Sequence, residues 1–169
     1  SLQTSPWMGT FHSICLKILR KEAERIGYGR GFVIYDTDDQ ISLLKNVMQD
    51  LDMDIKKFNP KAMLGKISKL KSELIGHEEF ADGAKEYIEK ILAPAYTSYQ
   101  TALKQNNAMD FDDLIMLCVN LFQKSPETLK KYQQIFKYIL IDEYQDTNHS
   151  QYVWANLLAQ KHRNLFVIG

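Results

Sequence analysis

Apolar residues recur at helical spacing through most of this chain and collapse into short continuous runs near its ends. The stretch from Trp7 to Phe11 is β-prone, and helical periodicity begins near Ser13, with Ile14, Cys15, Ile18, Leu19 and Ala23 on one side. Gly27 and Gly29 are expected to stop that helix. Phe32 to Tyr35 reads as a short extended segment. Asp36-Thr37-Asp38-Asp39 then supplies a cap and first-turn acids for a helix carrying Ile41, Leu44, Val47, Met48 and Leu51. Pro60 suits the first turn of the next helix, with Met63, Leu64, Ile67, Leu70 and Leu74 at helical spacing and Gly76 expected to end it. A helix over residues 80–93 precedes Pro94 and another covers 95–104; Pro94 either kinks one continuous helix or opens a new one. Asn106-Asn107 marks a turn, and Asp110 to Phe122 reads as an amphipathic helix with an acidic start. Ser125 caps a short helix opened by Pro126. The run Ile139-Leu140-Ile141, a helix over residues 150–160 and the strand Leu165 to Ile168 complete the chain.

The middle is almost purely helical and the flanks carry the strands. That distribution predicts an α/β fold, strongly α-rich, in which a helical unit interrupts a sheet domain. Tyr138 to Ile141 is continuously apolar, as expected of a strand covered on both faces in a parallel sheet. No internal repeat or low-complexity segment is visible.

Charge narrows the classes of partner. The 21 basic and 21 acidic side chains give a formal net charge of zero, so nucleic-acid binding has to use local patches. Cys15 and Cys118 lie far apart in sequence among apolar residues and read as buried thiols of a reducing compartment rather than as a disulfide. No apolar run approaches membrane-spanning length, so no membrane is expected and the implied location is cytoplasmic. The chain begins at Ser1 without Met and stops one glycine after an apolar strand, where a functional loop ordinarily opens. It is therefore expected to be a piece of a larger protein.

The sharpest chemistry lies at the end of the apolar run, where Asp142 and Glu143 follow directly and Gln145, Asp146 and Thr147 come two residues later. Acids at the carboxyl end of a parallel strand sit where open α/β sheets bind ligands. Asp142 can hold Mg²⁺ and Glu143 can orient or deprotonate a water, as in nucleotide hydrolysis; the alternative is a strand that ends in a polar turn. Lys56, Lys57, Lys61, Lys66, Lys69 and Lys71 form a run without an intervening acid, read either as a solvated helix face or as a phosphate-contacting stripe. Asp110, Asp112 and Asp113 suggest a metal site at first glance, but a helix start is the favoured reading. Tyr87, Tyr96 and Tyr99 are expected to pack helices, and Met48, Met53 and Met63 to lie in the core.

Three separated segments together carry a family likeness. Gly9-Thr10-Phe11-His12-Ser13, Met109-Asp110-Phe111-Asp112-Asp113-Leu114-Ile115 and Leu140-Ile141-Asp142-Glu143-Tyr144-Gln145-Asp146-Thr147-Asn148 occur in an order and spacing that closely resemble the UvrD/PcrA/Rep helicases of superfamily one. Phe32 to Gln40 resembles the entry to that family's 1B subdomain, and Phe166-Val167-Ile168-Gly169 the strand leading into its third motif. The resemblance implies ATP and Mg²⁺ as cofactors, with Asp142 holding the metal through water, Glu143 activating the attacking water and Gln145 coupling nucleotide state to DNA contacts. It implies single-strand binding by Thr10, Phe11, His12 and Ser13, and places Lys66 and Lys69 beside DNA. The physics of the first segment agrees: helix-terminal amides and hydroxyls grip phosphate, and rings pack on sugar or base.

The implied organisation is a 1B subdomain over residues 30–105, flanked by residues 1–29 and 106–169 of the first RecA-like P-loop NTPase domain. The implied parent is a 3′→5′ helicase acting on single-stranded DNA and duplex junctions. Its partners would be repair or replication proteins and the rest of the helicase chain. The family's phosphate-cradling Gly-Lys-Thr loop is absent from these residues. Gly65-Lys66-Ile67-Ser68 lacks the preceding strand and spaced glycine, so the chain by itself is expected to be inactive. The rival readings are the helicase portion of a RecB- or AddA-like helicase–nuclease, a non-catalytic interaction module, and a metal nuclease built on Asp110, Asp112, Asp142 and Glu143.

Overall fold

A computed structural model of the chain describes residues 9–136, 139–142, 148–162 and 165–168, the two segments 139–142 and 165–168 by their backbone. Two compact units emerge: one comprises Ser1–Arg30 with Asp113–Gly169, the other Gly31–Asp112. The fold is helix-rich α/β with parallel strand pairs, the class the sequence predicts.

In the Gly31–Asp112 unit the order is β1 (Val33–Tyr35), α2 (Thr37–Asp50), α3 (Pro60–Ser72), α4 (His77–Gly83), α5 (Tyr87–Gln105) and β2 (Ala108–Asp110). Strands β1 and β2 pair in parallel, with Val33 opposite Ala108 and Tyr35 opposite Asp110. Asp36 caps α2 through a reciprocal box, accepting from the Asp39 amide at 2.8 Å while Asp39 accepts from the Asp36 amide at 3.2 Å. Asn59 caps α3 and Pro60 occupies its first turn. The core is Leu44, Val47 and Met48 of α2, Met63, Leu64 and Ile67 of α3, and Leu92, Ala95, Tyr96, Tyr99 and Leu103 of α5. Met53 packs against its edge. Tyr87 departs from expectation: at 63% exposure it does not pack helices, and the Lys57 ammonium lies against its ring.

Three element boundaries differ from the sequence reading. Helix α3 ends at Ser72, with Leu74 at φ 60° and the Ile75 amide bonded back to the Leu70 carbonyl. Gly76 instead opens α4 as its N-cap. The helix expected over 80–93 is two helices, because α4 stops at Gly83 and the Glu89 carboxylate takes the amides of Lys85 and Glu86 at 2.8 and 2.9 Å, starting α5 afresh. Helix α5 then continues past Pro94, one of the two arrangements the sequence leaves open. A proline inside a helix costs about 3 kcal/mol, but Leu92, Ala93, Ala95 and Tyr96 are buried on both sides of it, and their burial outweighs that penalty.

The other unit contains α1 (Phe11–Glu22), a short 3-10 turn (Ala23–Ile26), most of α6 (Phe111–Lys124), α7 (Pro126–Ile135), β3 (Ile139–Asp142), α8 (His149–Ala159) and β4 (Leu165–Ile168). Gly27 closes the 3-10 turn at φ 79°, a conformation open to glycine. Phe11 lies in α1 and not in a β-prone stretch, because Thr10 caps the helix immediately before it. Trp154 of α8 joins α1 and α6: its ring meets Phe11 edge-on at 5.6 Å, and its Nε1–H donates to Cys118 Sγ at 3.3 Å. Both cysteines are buried free thiols. Burial raises the Cys15 thiol's pKa, and the neighbouring Cys118 raises it further.

Candidate functional site

Strands β3 and β4 pair in parallel, with Ile139 opposite Leu165 and Asp142 opposite Ile168. Asp142 is therefore the last residue of its strand, at the carboxyl end, where ligand sites of parallel sheets lie. Glu143 and Gln145, with Tyr144, Asp146 and Thr147, fall outside the described residues. Asn148 follows as the N-cap of α8, its side chain accepting from the Gln151 amide at 3.1 Å. Gly65, Lys66, Ile67 and Ser68 lie in the interior of α3, not between a strand and a helix, so they form no phosphate loop.

The Thr10 to Ser13 segment is the first turn of α1. Thr10 Oγ1 accepts from the Ser13 amide at 3.2 Å, and Ser13 Oγ donates to the Thr10 carbonyl at 2.9 Å. A Cβ on Gly9 would collide with Ser13 Oγ, so a side chain there would displace that hydroxyl from its bond to the Thr10 carbonyl. Both hydroxyls and the Ser13 amide are thus held in the cap, at the positive end of the helix dipole. His12 is half-buried, and burial lowers its pKa, which favours the neutral imidazole. Phe11 is half-buried beside Trp154.

The lysine run is divided by the geometry of α3. Lys61, Lys66 and Lys69 are exposed on the face opposite the core. Lys71, grouped with them in the sequence, is buried: its ammonium lies 2.7 Å from Asp110 Oδ2, with 0% and 1% of the two side chains exposed. It cannot join a surface stripe, because two residues along a helix is a rotation of about 200°. Tyr99 donates its hydroxyl to the same carboxylate oxygen at 3.0 Å, and its ring lies 5.2 Å from the Lys71 ammonium.

Asp110 is the last residue of β2 rather than a helix residue, and its charge is answered by Lys71. Burial raises the Asp112 carboxyl's pKa; a Ser68 hydrogen bond and Lys71 oppose the rise while Asp110 adds to it. Asp113 is fully buried. Among the described residues no group of three or more His, Cys, Asp and Glu side chains could hold a metal ion. Sequence reasoning missed the Lys71–Asp110–Tyr99 network, whose partners are 39 and 11 residues apart.

A second ionic cluster holds the other unit. Glu22 accepts from Lys131 at 2.7 Å, Tyr132 at 3.1 Å and Arg25 at 2.9 Å. Burial alone would raise the Glu22 pKa, but these three donors outweigh it and the net shift is downward. The same contact and burial push the Tyr132 hydroxyl upward. No described helix is long and apolar enough to cross a membrane.

The description "UvrD/REP helicase N-terminal domain" matches residues 2–169. A Staphylococcus epidermidis protein named ATP-dependent DNA helicase PcrA is 48% identical over 163 residues, covering 96% of this chain and 22% of its own length. A Staphylococcus aureus protein of the same name shows the same identity and coverage. The chain thus spans about a fifth of the length of these relatives.

Proposed function

This chain belongs to the UvrD/REP helicase N-terminal domain family, and from that premise we propose that it is part of an ATP-dependent DNA helicase that translocates 3′→5′ along single-stranded DNA and unwinds duplex. The Gly31–Asp112 unit supports reading residues 30–105 as the 1B subdomain, with residues 1–29 and 106–169 belonging to the first RecA-like domain. The observation that carries the functional reading is the place of Asp142 at the carboxyl end of a parallel strand, directly followed by Glu143. A carboxylate there would hold the magnesium of a bound nucleotide, an ion that would neutralise charge on the phosphates.

Asp142 is the residue that would hold that ion. Glu143 takes the proton from the attacking water, and Gln145 links the nucleotide's state to the DNA-binding segment. The Thr10 to Ser13 segment, at the positive N-terminal end of α1, meets a phosphate of the tracked strand. Phe11 and His12 stand there to meet sugar or base, and Lys66 and Lys69 contact phosphate on the other unit. The 169 residues contain no Gly-Lys-Thr loop, so the chain alone turns over no ATP.

The test is DNA-stimulated ATP hydrolysis by the full natural polypeptide that carries this sequence. Glu143→Gln should abolish turnover while nucleotide binding persists. Turnover unaffected by Glu143→Gln, or DNA-stimulated hydrolysis by the 169-residue chain alone, would overturn the assignment.

A further inference from the structure

Trp154 stands between the two ends of the proposed mechanism. Strand β3 closes on Asp142, residues 143–147 follow in sequence, and Asn148 then caps α8. Trp154 is buried in the second turn of that helix. Its indole meets Phe11 edge-on at 5.6 Å, and Phe11 is the half-buried first residue of α1. The indole is pinned in rotation, because its Nε1–H donates to Cys118 Sγ at 3.3 Å. Cys118 in turn hydrogen-bonds Cys15, which lies one helical turn beyond Phe11 on the same side of α1. Phe11, Trp154, Cys118 and Cys15 thus close a ring of contacts inside one compact unit. Helix α8 is itself fastened, its first turn by the reciprocal Asn148–Gln151 cap and its last by Gln133 Nε2 of α7, which donates to the Leu157 carbonyl at 2.9 Å.

We infer that Trp154 is a positioning residue: it sets the Phe11 ring and, carried on α8, ties that ring to the helix that follows the Asp142 strand end. The inference rests on the helicase reading and deepens it, since it gives the nucleotide site a second route to the strand-binding turn besides Gln145. A ring that packs on sugar or base has to be presented in a fixed orientation. Aromatic pairs prefer particular edge-on or offset arrangements, so a displacement of the indole changes how Phe11 is held. An unpinned side chain would absorb that displacement by changing rotamer; one fixed at its N–H in a close-packed interior passes it on. Packing alone asks only for apolar volume at position 154. The edge-on contact together with the pinned N–H asks for tryptophan.

The experiment uses the full natural polypeptide and labelled oligo-dT, titrated by fluorescence anisotropy with and without a non-hydrolysable ATP analogue and Mg²⁺. The ratio of the two dissociation constants is the coupling factor, and by linkage the analogue's affinity must change by the same factor when oligo-dT is added. Trp154→Leu should lower that factor by about threefold or more, within the roughly 2- to 30-fold by which residues between coupled sites act. The analogue's affinity without DNA should stay within about twofold, less than the smallest coupling effect expected. Trp154→Phe, which keeps a ring against Phe11, should retain most of the factor. Phe11→Leu should lower it as Trp154→Leu does, and the two together no further, since both act through one contact. A merely structural tryptophan would lower the thermal midpoint and leave the coupling factor alone; that result overturns the inference while the helicase reading stands. If Trp154→Leu does not fold, Phe11→Leu decides the question, and an unchanged factor there overturns the inference. A coupling factor of one in the unsubstituted protein overturns the inference and the helicase reading together.

Discussion

Replacing Lys71 with methionine tests whether the buried ion pair of the Gly31–Asp112 unit behaves as a charge pair or merely as packing. Both side chains are withdrawn from water, and the variant takes the ammonium away from the buried carboxylate while the Tyr99 hydroxyl bond remains. Methionine nearly conserves the stem volume, so the remaining penalty is that of an unpaired buried charge, about 3–5 kcal/mol. An independent route gives a similar figure. If Asp110 avoids the charge by staying protonated, holding the proton at pH 7 against an ordinary aspartate value of about 3.9 costs about 4 kcal/mol.

The sign of the pH dependence follows. Above that ordinary value the variant's unfolded state has released the proton and its folded state has kept it. Stability therefore falls as pH rises, by about 1.4 kcal/mol per unit, and lowering pH from 7 to 5 should recover about 2.7 kcal/mol. Urea unfolding followed by far-ultraviolet circular dichroism at the two pH values measures this. Lys71→Met/Asp110→Leu is the control, because removing both charges should restore most of the loss. A deficit under about 1 kcal/mol that does not change with pH, or a double variant as weak as the single, would refute the electrostatic argument.

Other consequences follow from the same structure. Glu22→Gln should cost about 1–2 kcal/mol, discounted because Lys131 is half exposed. The Glu22 pKa is depressed in the fold, so its contribution is present above the ordinary glutamate range and lost as pH falls through the lower folded value. Acid unfolding curves of the variant should lack that component. Thr10→Ala removes the α1 cap and should lower stability by about 1 kcal/mol. If the first turn grips a phosphate, it should also weaken oligo-dT binding, read by anisotropy. Cys15 and Cys118 should both resist Ellman's reagent in the folded protein and react once it is unfolded in urea, since both are buried and burial disfavours the Cys15 thiolate. Rapid modification of the native protein would contradict the packing around Trp154.

Much of the fold was legible because its signals are local. The Asp36 cap, Pro60 at a first turn, the Ser125 cap and the apolar spacing of α2 and α3 each act within one or two helical turns. The boundaries that failed were those where a distant contact or a competing cap decides. At Pro94 the local rule left a continuous helix and a new one both open, and the buried neighbours on either side favour the continuous α5. Gly76 has the composition of a stop, yet the αL position falls to Leu74 and the glycine opens the following helix. Asp110, the last residue of β2, was read as a helix start because a three-residue strand carries little periodicity; pairing with β1, more than 70 positions earlier, makes it a strand residue.

The lysines show the same limit at the level of function. In sequence the six from Lys56 to Lys71 are equivalent, separated by no acid, and charge alone assigns them one role. The helix rotates that equivalence away. Lys69 and Lys71 are two positions apart, yet one faces solvent beside Gly65 and the other is sealed against Asp110 and Tyr99. A charge-reversal scan along α3 should therefore split sharply. Lys69→Glu should leave folding nearly intact while adding repulsion where the proposed function puts a phosphate contact, so that DNA binding weakens most at low salt. Lys71→Glu would set two buried carboxylates together and should unfold the unit, visible as lost helical dichroism. If Lys69→Glu unfolded the protein as readily as Lys71→Glu, the two-faced reading of α3 would be wrong.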